Sequence, residues 1–214
     1  MKRKDSMIVG EGYPFIVPPA ALTVVFAYAG LFWLTTLCSV LTLFVVWFFR
    51  NPDRAAPSGE GVFVSPADGR VLKVEDVPRG ENLTGPFRKV SIFMNVFDVH
   101  VNRAPCSGTV TAIHYHKGRF LSANLDKASE LNEKNTVVIR REEGEDVLVS
   151  QIAGLIARRI VCWVGEGVHV ERGDRIGMIR FGSRVEVFLP QDAKVSVEAG
   201  TRVKAGETII GWLR

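Results

Sequence analysis

Gly167-Val168-His169-Val170-Glu171-Arg172-Gly173 and Gly200-Thr201-Arg202-Val203-Lys204-Ala205-Gly206 share one skeleton, Gly-x-x-Val-x-x-Gly. Each copy is followed by an isoleucine–glycine pair, Ile176-Gly177 and Ile210-Gly211. Glycines at such spacing are turn residues, because glycine enters left-handed backbone without steric cost. A second skeleton, Pro-x-x-Gly-x-Val, occurs in Pro66-Ala67-Asp68-Gly69-Arg70-Val71 and again in Pro105-Cys106-Ser107-Gly108-Thr109-Val110. Short strands between periodic glycine turns predict a small, mainly β, antiparallel domain, a barrel or sandwich. Alternation on either side of Asp68-Gly69 predicts strand, turn, strand over Val62–Val74. Ser122 to Glu133 lacks alternation and reads as loop or short helix. Ser150 to Val164 is apolar enough for a buried strand or two, with Arg158-Arg159 as a solvated bend.

The glycine pattern resembles the barrel-sandwich hybrid of biotinyl and lipoyl carrier domains. Ahead of this β domain, Phe15 to Phe49 runs 35 residues without Asp, Glu, Lys, Arg or His. That run is too long for a signal-peptide core and ends without a small-residue cleavage site, which predicts a retained hydrophobic helical membrane anchor. A single helix from Ala20 to Phe49 would be about 45 Å long against a hydrocarbon core of about 30 Å. Pro18-Pro19 is read as a helix start and Gly30 as the bend. Lys2, Arg3 and Lys4 before the run, with Arg50 and Arg54 after it, favour both ends on the cytoplasmic side. A helical hairpin is therefore preferred to a single span, with the following domain cytoplasmic at the cell membrane. The sequence divides into an anchoring segment, residues 1–50, and a β domain, residues 51–214.

The formal net charge of +4 comes without a basic helix or an aromatic–basic stripe, which speaks against nucleic acid. Anionic lipid head groups fit a basic, membrane-associated chain better. Cys38, Cys106 and Cys162 are odd in number and widely spaced, so neither a disulfide framework nor a zinc pattern is expected. The histidines, His100, His114, His116 and His169, show no metal-site spacing, and no metal is expected. His114 and His116 read as the polar outer face of a strand.

Chemistry is expected at two places. Ile176 to Phe181 is strand-like, Gly182-Ser183-Arg184 follows, and Val185 to Pro190 alternates again. A serine preceded by glycine has little bulk shielding the carbonyl carbon it would attack, so Gly182-Ser183 is either a turn or a self-cleavage site. The other place is Asp98-Val99-His100, where strand geometry would put Asp98 and His100 on one face and let the carboxylate orient the imidazole. Asp68 in an Asp-Gly dipeptide is either a turn residue or a catalytic carboxylate.

Arg50-Asn51-Pro52, Ser65-Pro66-Ala67-Asp68-Gly69, Asp98-Val99-His100-Val101-Asn102-Arg103, Asn132-Glu133-Lys134-Asn135 and Phe181-Gly182-Ser183 stand in the order and spacing of the phosphatidylserine decarboxylase family. From Phe48 onward the chain resembles the short form of that family, in which Gly-Ser-Arg replaces Gly-Ser-Thr. The resemblance implies a self-processing enzyme of phospholipid biosynthesis. Ser183 would attack the carbonyl of Gly182, and the products would be a β chain, 1–182, and an α chain, 183–214. The α chain would begin in a pyruvoyl group made from Ser183, the cofactor that takes the substrate amine as a Schiff base. His100 is implied as the base and later proton donor, Asp68 as the first candidate for its carboxylate partner and Asp98 as the second. The implied partners are an aminophospholipid, the membrane and the two chains of one precursor; homo-oligomerisation is left open. Short forms also include archaetidylserine decarboxylases. Arg50, Arg54 and Arg103 are candidates for the substrate phosphate or carboxylate. The competing reading is a non-catalytic, membrane-anchored biotinyl- or lipoyl-like barrel, against which no lysine stands in the hairpin setting such carriers modify.

Overall fold

The computed structural model describes residues 6–78, 86–122, 128–155, 159–180 and 183–213. Lys2, Arg3, Lys4, Arg158, Phe181 and Gly182 lie outside the described residues. The chain divides into two compact units, Met1–Asp53 and Arg54–Arg214.

The first unit is a helical hairpin. α1 (Tyr13–Tyr28) and α2 (Phe32–Phe48) are separated at Gly30, whose φ of 71° is left-handed and ends α1. The base of the hairpin is closed by backbone: Val9 N–H donates to Phe49 O at 3.0 Å and Asn51 N–H to Met7 O at 2.8 Å. Phe15 stacks on Phe49 there, ring centroids 5.6 Å apart. The break at Gly30 is where the sequence places it, and the stretch from Ala20 to Phe49 is not one continuous helix. Helix initiation differs from expectation. α1 begins at Tyr13 with Pro14 in its first turn, and Pro18 and Pro19 lie inside it. As the sixth and seventh residues of α1 they remove two i→i−4 hydrogen bonds from its second turn. At 16 and 17 residues the helices are roughly 24 and 26 Å long. Among the described residues no helix is long and apolar enough to cross a membrane.

The second unit is built of short strands. In chain order they are β1 (Val62–Val64), β2 (Gly69–Val77), β3 (Phe87–Met94), β4 (Val101–Arg103), β5 (Gly108–His116), β6 (Lys134–Arg140) and β7 (Asp146–Ala153). They continue with β8 (Ile160–Cys162), β9 (His169–Val170), β10 (Arg175–Ile179), β11 (Ser183–Pro190), β12 (Lys194–Val195), β13 (Arg202–Val203) and β14 (Ile209–Trp212). One helical turn, α3 (Ala128–Leu131), falls in the stretch that lacked alternation. Three sheets result: β13-β2-β3-β11-β7-β6-β5-β9, β1-β14-β12 and β4-β10-β8. Among the described residues every pairing between these strands is antiparallel, as the turn pattern predicted.

The two sequence skeletons explain how the large sheet ends. The Gly-x-x-Val-x-x-Gly copies supply its two edge strands, β9 and β13, with Val170 and Val203 each 3% exposed. The Pro-x-x-Gly-x-Val copies open the strands beside them, β2 and β5. The pairing is equivalent at both edges: Val203 opposes Gly69 and Val170 opposes Gly108. A Cβ built on Gly206 would lie 3.6 Å from Gly173 Cα, so the two edges meet. Asp68-Gly69 is thus no hairpin turn, since β1 pairs with β14 while β2 pairs with β13 and β3. Gly69 is required there because its φ is 147° and a Cβ would fall 2.1 Å from Phe93 O.

The core side of the large sheet is β-branched and aliphatic: Val90 and Ile92 of β3, Val185, Val187 and Leu189 of β11, and Val147 and Val149 of β7. Each such side chain, fully buried, contributes roughly 1.5–3 kcal/mol. Ser183 and Met94 share this face by the alternation of their strands.

Candidate active site

Ser183 is the first residue of β11, fully buried, and lies between Met94 of β3 and Ala153 of β7 in the ladder. Its Oγ donates to Met94 Sδ at 3.3 Å. A thioether is a weak acceptor, so the hydroxyl is dry without being held by a strong partner. Alternation puts Arg184 on the opposite face of the strand. There, 2% exposed, it bonds Glu186 Oε1 at 2.9 Å and Ser91 Oγ at 3.0 Å. The arginine of Gly-Ser-Arg is therefore an internal ion-pair partner on the far side of the sheet from the serine.

His100 is 1% exposed and lies just ahead of β4. Its carbonyl accepts Ile179 N–H, 3.4 Å, at the end of β10, four residues before Ser183. The chain leading to it leaves β3 at Met94, the ladder partner of Ser183. His100 is thus joined to β10 by a backbone hydrogen bond and by the chain to Met94, the residue that pairs with Ser183. Asp98 and His100 lie in the turn after β3 and not on a strand, so their relation is not that of a shared strand face. The imidazole Nδ1 lies 3.0 Å from the backbone carbonyl of Asp98. A carbonyl only accepts, so Nδ1 carries the proton and the lone pair of the neutral ring is at Nε2. The Asp98 carboxylate accepts Asn95 N–H at 2.9 Å and lies 3.8 Å from Arg202 Nη1.

Asp68 immediately precedes β2, at the same end of the sheet. Its carboxylate is gripped by both terminal nitrogens of Arg54, Nη2 reaching Oδ2 at 2.8 Å, and accepts Ala205 N–H at 2.8 Å. Side-chain exposure is 7% for Arg54 and 12% for Asp68. Burial lowers the Arg54 pKa, and the hydrogen bonds and charges of Asp68 and Glu207 more than reverse that, raising it above its ordinary value. The expected Asp68–His100 hydrogen bond is not formed; the aspartate is committed to the arginine. The duplicated edges give this contrast a counterpart. Ser107 occupies the position equivalent to Asp68, and its Oγ accepts Arg172 N–H at 3.0 Å, as Asp68 accepts Ala205 N–H. Of the two copies, the one at the Ser183 end of the sheet carries the acid.

Two of the three arginines suggested for the head group are internal. Arg54 holds Asp68, and Arg103, 5% exposed, donates to Gly173 O at 2.8 Å where the sheet edges meet. Arg50 covers the Trp47 ring, its guanidinium carbon 3.8 Å from the centroid. His114 and His116 are exposed on β5, as expected of an outer face. The three cysteines are free thiols, and burial pushes that of Cys106 up to about 12. Two surface concavities, of about 230 and 290 Å³, lie away from Ser183.

The residues that spacing did not reveal are amides. Asn135 Nδ2 donates to Gln151 Oε1 at 3.1 Å, Gln151 Nε2 to Asn102 Oδ1 at 2.9 Å, and Asn102 Nδ2 to Met94 Sδ at 3.7 Å. All three amides are at most 4% exposed. A neighbouring Asn132, fully buried, donates to Ala153 O at 2.8 Å, opposite Ser183. Asn102, Asn132 and Asn135 stood within two of the motifs quoted above; for Gln151 the available signal was a lone amide within the apolar run Val147–Ala153.

The chain is similar to known proteins over most of its length. Residues 41–211 match the family model "Phosphatidylserine decarboxylase". The phosphatidylserine decarboxylase proenzyme of Syntrophus aciditrophicus (strain SB) is 55% identical over 211 residues, 98% of this chain and 99% of that protein. The proenzyme of Magnetococcus marinus is 44% identical, covering 99% of this chain and 97% of its own length. That of Geobacter metallireducens is 44% identical with both chains covered completely. Over its whole length, this chain belongs to the phosphatidylserine decarboxylase family.

Proposed function

We propose that the chain is a proenzyme that cleaves itself between Gly182 and Ser183 and then decarboxylates phosphatidylserine to phosphatidylethanolamine and CO2. The observation that carries the reading is Ser183 itself: a fully buried hydroxyl at the start of β11, paired with Met94, from which the chain runs on to His100. A buried serine suits a reaction whose substrate is its own chain, since nothing has to diffuse in.

The step begins with transfer of the Ser183 Oγ proton to a base, for which we assign His100, whose neutral ring carries its lone pair at Nε2. Oγ bonds to the Gly182 carbonyl carbon, the Gly182–Ser183 C–N bond breaks, and the nitrogen takes the proton, so an amide becomes an ester without change of composition. Loss of the Ser183 Cα proton then expels the Gly182 carboxylate and leaves a dehydroalanine. Water replaces ammonia at that residue and leaves a pyruvoyl group. Residue 183 fits this group because its Oγ is dry and weakly held. Once made, the group supplies an electron sink for loss of CO2 from an amine-bearing substrate. His100 remains beside it as the donor for the proton that replaces CO2. Asp68 acts on this site through the Arg54 pair at the same sheet end, and Asp98 through the carbonyl that fixes the His100 tautomer.

The hairpin is read as the lipid-side element, at the cell membrane with the β domain cytoplasmic. Val17, Val24, Val25, Trp33, Leu37 and Val40 are exposed apolar side chains on it, and Arg50 on Trp47 is the pairing expected at a membrane interface. The β unit is read as a barrel-sandwich hybrid on the strength of its two equivalent edges.

A denaturing gel with intact-mass measurement tests the reading. The purified protein should give chains of residues 1–182 and 183–214, the latter 32 residues and blocked at its amino terminus. Ser183→Ala should remain one inactive chain, and His100→Ala should process slowly or not at all. A wild-type chain that stays intact on prolonged incubation overturns the proposal. Turnover of diacyl phosphatidylserine against its ether-linked archaeal counterpart decides the substrate.

A further inference from the structure

The three buried amides form a directed chain. Each donates its N–H to the next, from Asn135 through Gln151 to Asn102, and the last donor, Asn102 Nδ2, ends on Met94 Sδ. Ser183 Oγ donates to the same sulfur. The chain of three amide donors therefore ends, through Asn102 alone, on the atom that also receives the reactive hydroxyl. Reversing the chain would press Asn102 Oδ1 against that sulfur, so the direction follows from its terminus.

Burying three carboxamides in an otherwise aliphatic layer is costly unless each is hydrogen-bonded, and apolar residues of the same shape would serve packing as well. The fold also makes room for this chain. A Cβ at Gly177, the residue opposite Asn102 on β10, would fall 2.9 Å from Gln151 Nε2. A string of good hydrogen bonds is thus built only to end on a poor acceptor. Such an end gains little in the resting protein and much when a negative oxygen appears beside it, which is the differential stabilisation catalysis requires. Polarisation along the chain strengthens the terminal donor.

We propose that Asn102, held by Gln151 and Asn135 as positioning residues, supplies the donor that stabilises the negative charge developing beside Ser183 during self-processing. The inference rests on the reading that Ser183 is the processed residue. The charge arises when the Ser183 Oγ lone pair bonds to the preceding carbonyl carbon and the C=O π pair moves onto oxygen. It disappears when that carbonyl re-forms and the C–N bond breaks.

The test follows cleavage of freshly synthesised full-length chains on denaturing gels, with and without hydroxylamine, which cleaves an ester far faster than an amide. Asn102→Leu removes the donor. The triple variant Asn102→Leu/Gln151→Met/Asn135→Leu removes every amide and leaves no orphaned partner. Thr136→Val, which breaks the buried Thr136–Ser150 contact of 2.7 Å on the next rung of the same two strands and on their opposite face, is the control for a purely structural loss. Melting temperatures are measured for all of them in a Ser183→Ala background. Asn102→Leu and the triple variant should process about 10²-fold more slowly, the loss expected for one oxyanion donor, and hydroxylamine should not restore the rate because ester formation itself is slowed. Thr136→Val should process at the wild-type rate for a comparable loss in melting temperature. Processing of either variant within threefold of wild type overturns the proposal, as does rescue by hydroxylamine, slowing that merely follows melting temperature, or failure of both to fold. A wild-type chain that never cleaves instead removes the reading of Ser183 beneath it.

Discussion

Replacing Arg54 by methionine isolates the energetics of the Asp68 corner. The variant keeps an unbranched side chain of similar reach but deletes both hydrogen bonds to the Asp68 carboxylate and the one from Nη1 to Ala205 O at 2.8 Å. Asp68, with a side chain 12% exposed, keeps only the Ala205 N–H. Removing one partner of a buried pair costs about 3–5 kcal/mol, because the remaining charge stays desolvated. In a unit of this size each kcal/mol moves the melting temperature by roughly 2–4 °C, so a fall of about 6–20 °C is expected. Arg54→Met/Asp68→Asn, which removes the stranded charge, should recover more than half of that. Thermal unfolding followed by circular dichroism in a Ser183→Ala background keeps processing out of the measurement. The raised Arg54 pKa means the pair's contribution is complete below the ordinary arginine value and declines only as pH rises through the higher one, so the effect should not vary between pH 6 and 9. A single variant melting within 2 °C of its parent, or a double variant no more stable than the single, would refute the reasoning.

Cys106, held near 12 by burial first of all, should resist iodoacetamide in the native protein at pH 8, while half-buried Cys162 is modified; peptide mass mapping reads both. Gly69→Ala should cost about 3 kcal/mol or more, since its Cβ meets Phe93 O at 2.1 Å in left-handed backbone, and the urea midpoint should fall accordingly. Burial alone would raise the Glu75 pKa, but hydrogen bonds from Lys73 and Lys89 hold it below its ordinary value. The stabilisation is therefore present above pH 4.5 and is lost as pH falls through the lower, folded-state value. Glu75→Gln should thus cost about 0.5–1 kcal/mol at neutral pH and nothing near pH 2, measured by denaturant titration at each pH.

Turn chemistry was the most legible feature of the chain. Gly167, Gly173, Gly200 and Gly206 all adopt positive φ, and each pair frames an edge strand of the large sheet, because a positive-φ requirement is local and only glycine meets it cheaply. Gly30 was readable for the same reason. Asp68-Gly69 shows the limit of local reading. The glycine is demanded not by a turn but by the approach of β2 to β3, a contact between residues far apart in sequence. Ser183 and His100 could be named, yet their surroundings could not. The group that holds His100 is a backbone carbonyl, which no side-chain spacing reports, and Arg54 reaches Asp68 across 14 residues of loop and strand. The amide chain joins β4, β6 and β7, so no single segment reveals it.

The position of the proposed break follows from how residues 183–214 are built into the fold. β11 is the first element of that fragment, and it is bonded to β3 along its whole length on one side and to β7 on the other. β13 pairs with β2 at the edge of the same sheet, while β14 pairs with β1 in a second sheet. Cleavage ahead of Ser183 severs one covalent connection and leaves all of these ladders intact. Val185, Val187 and Leu189, fully buried against Val90, Ile92 and their neighbours, would have to be exposed together for the fragment to leave. A break within β11 would instead divide a central strand, and one after it would leave the serine on the wrong fragment. On the proposed reading, the start of β11 is the place where the chain would be cut, its new terminus converted into a reactive group, and that group kept in the core that made it.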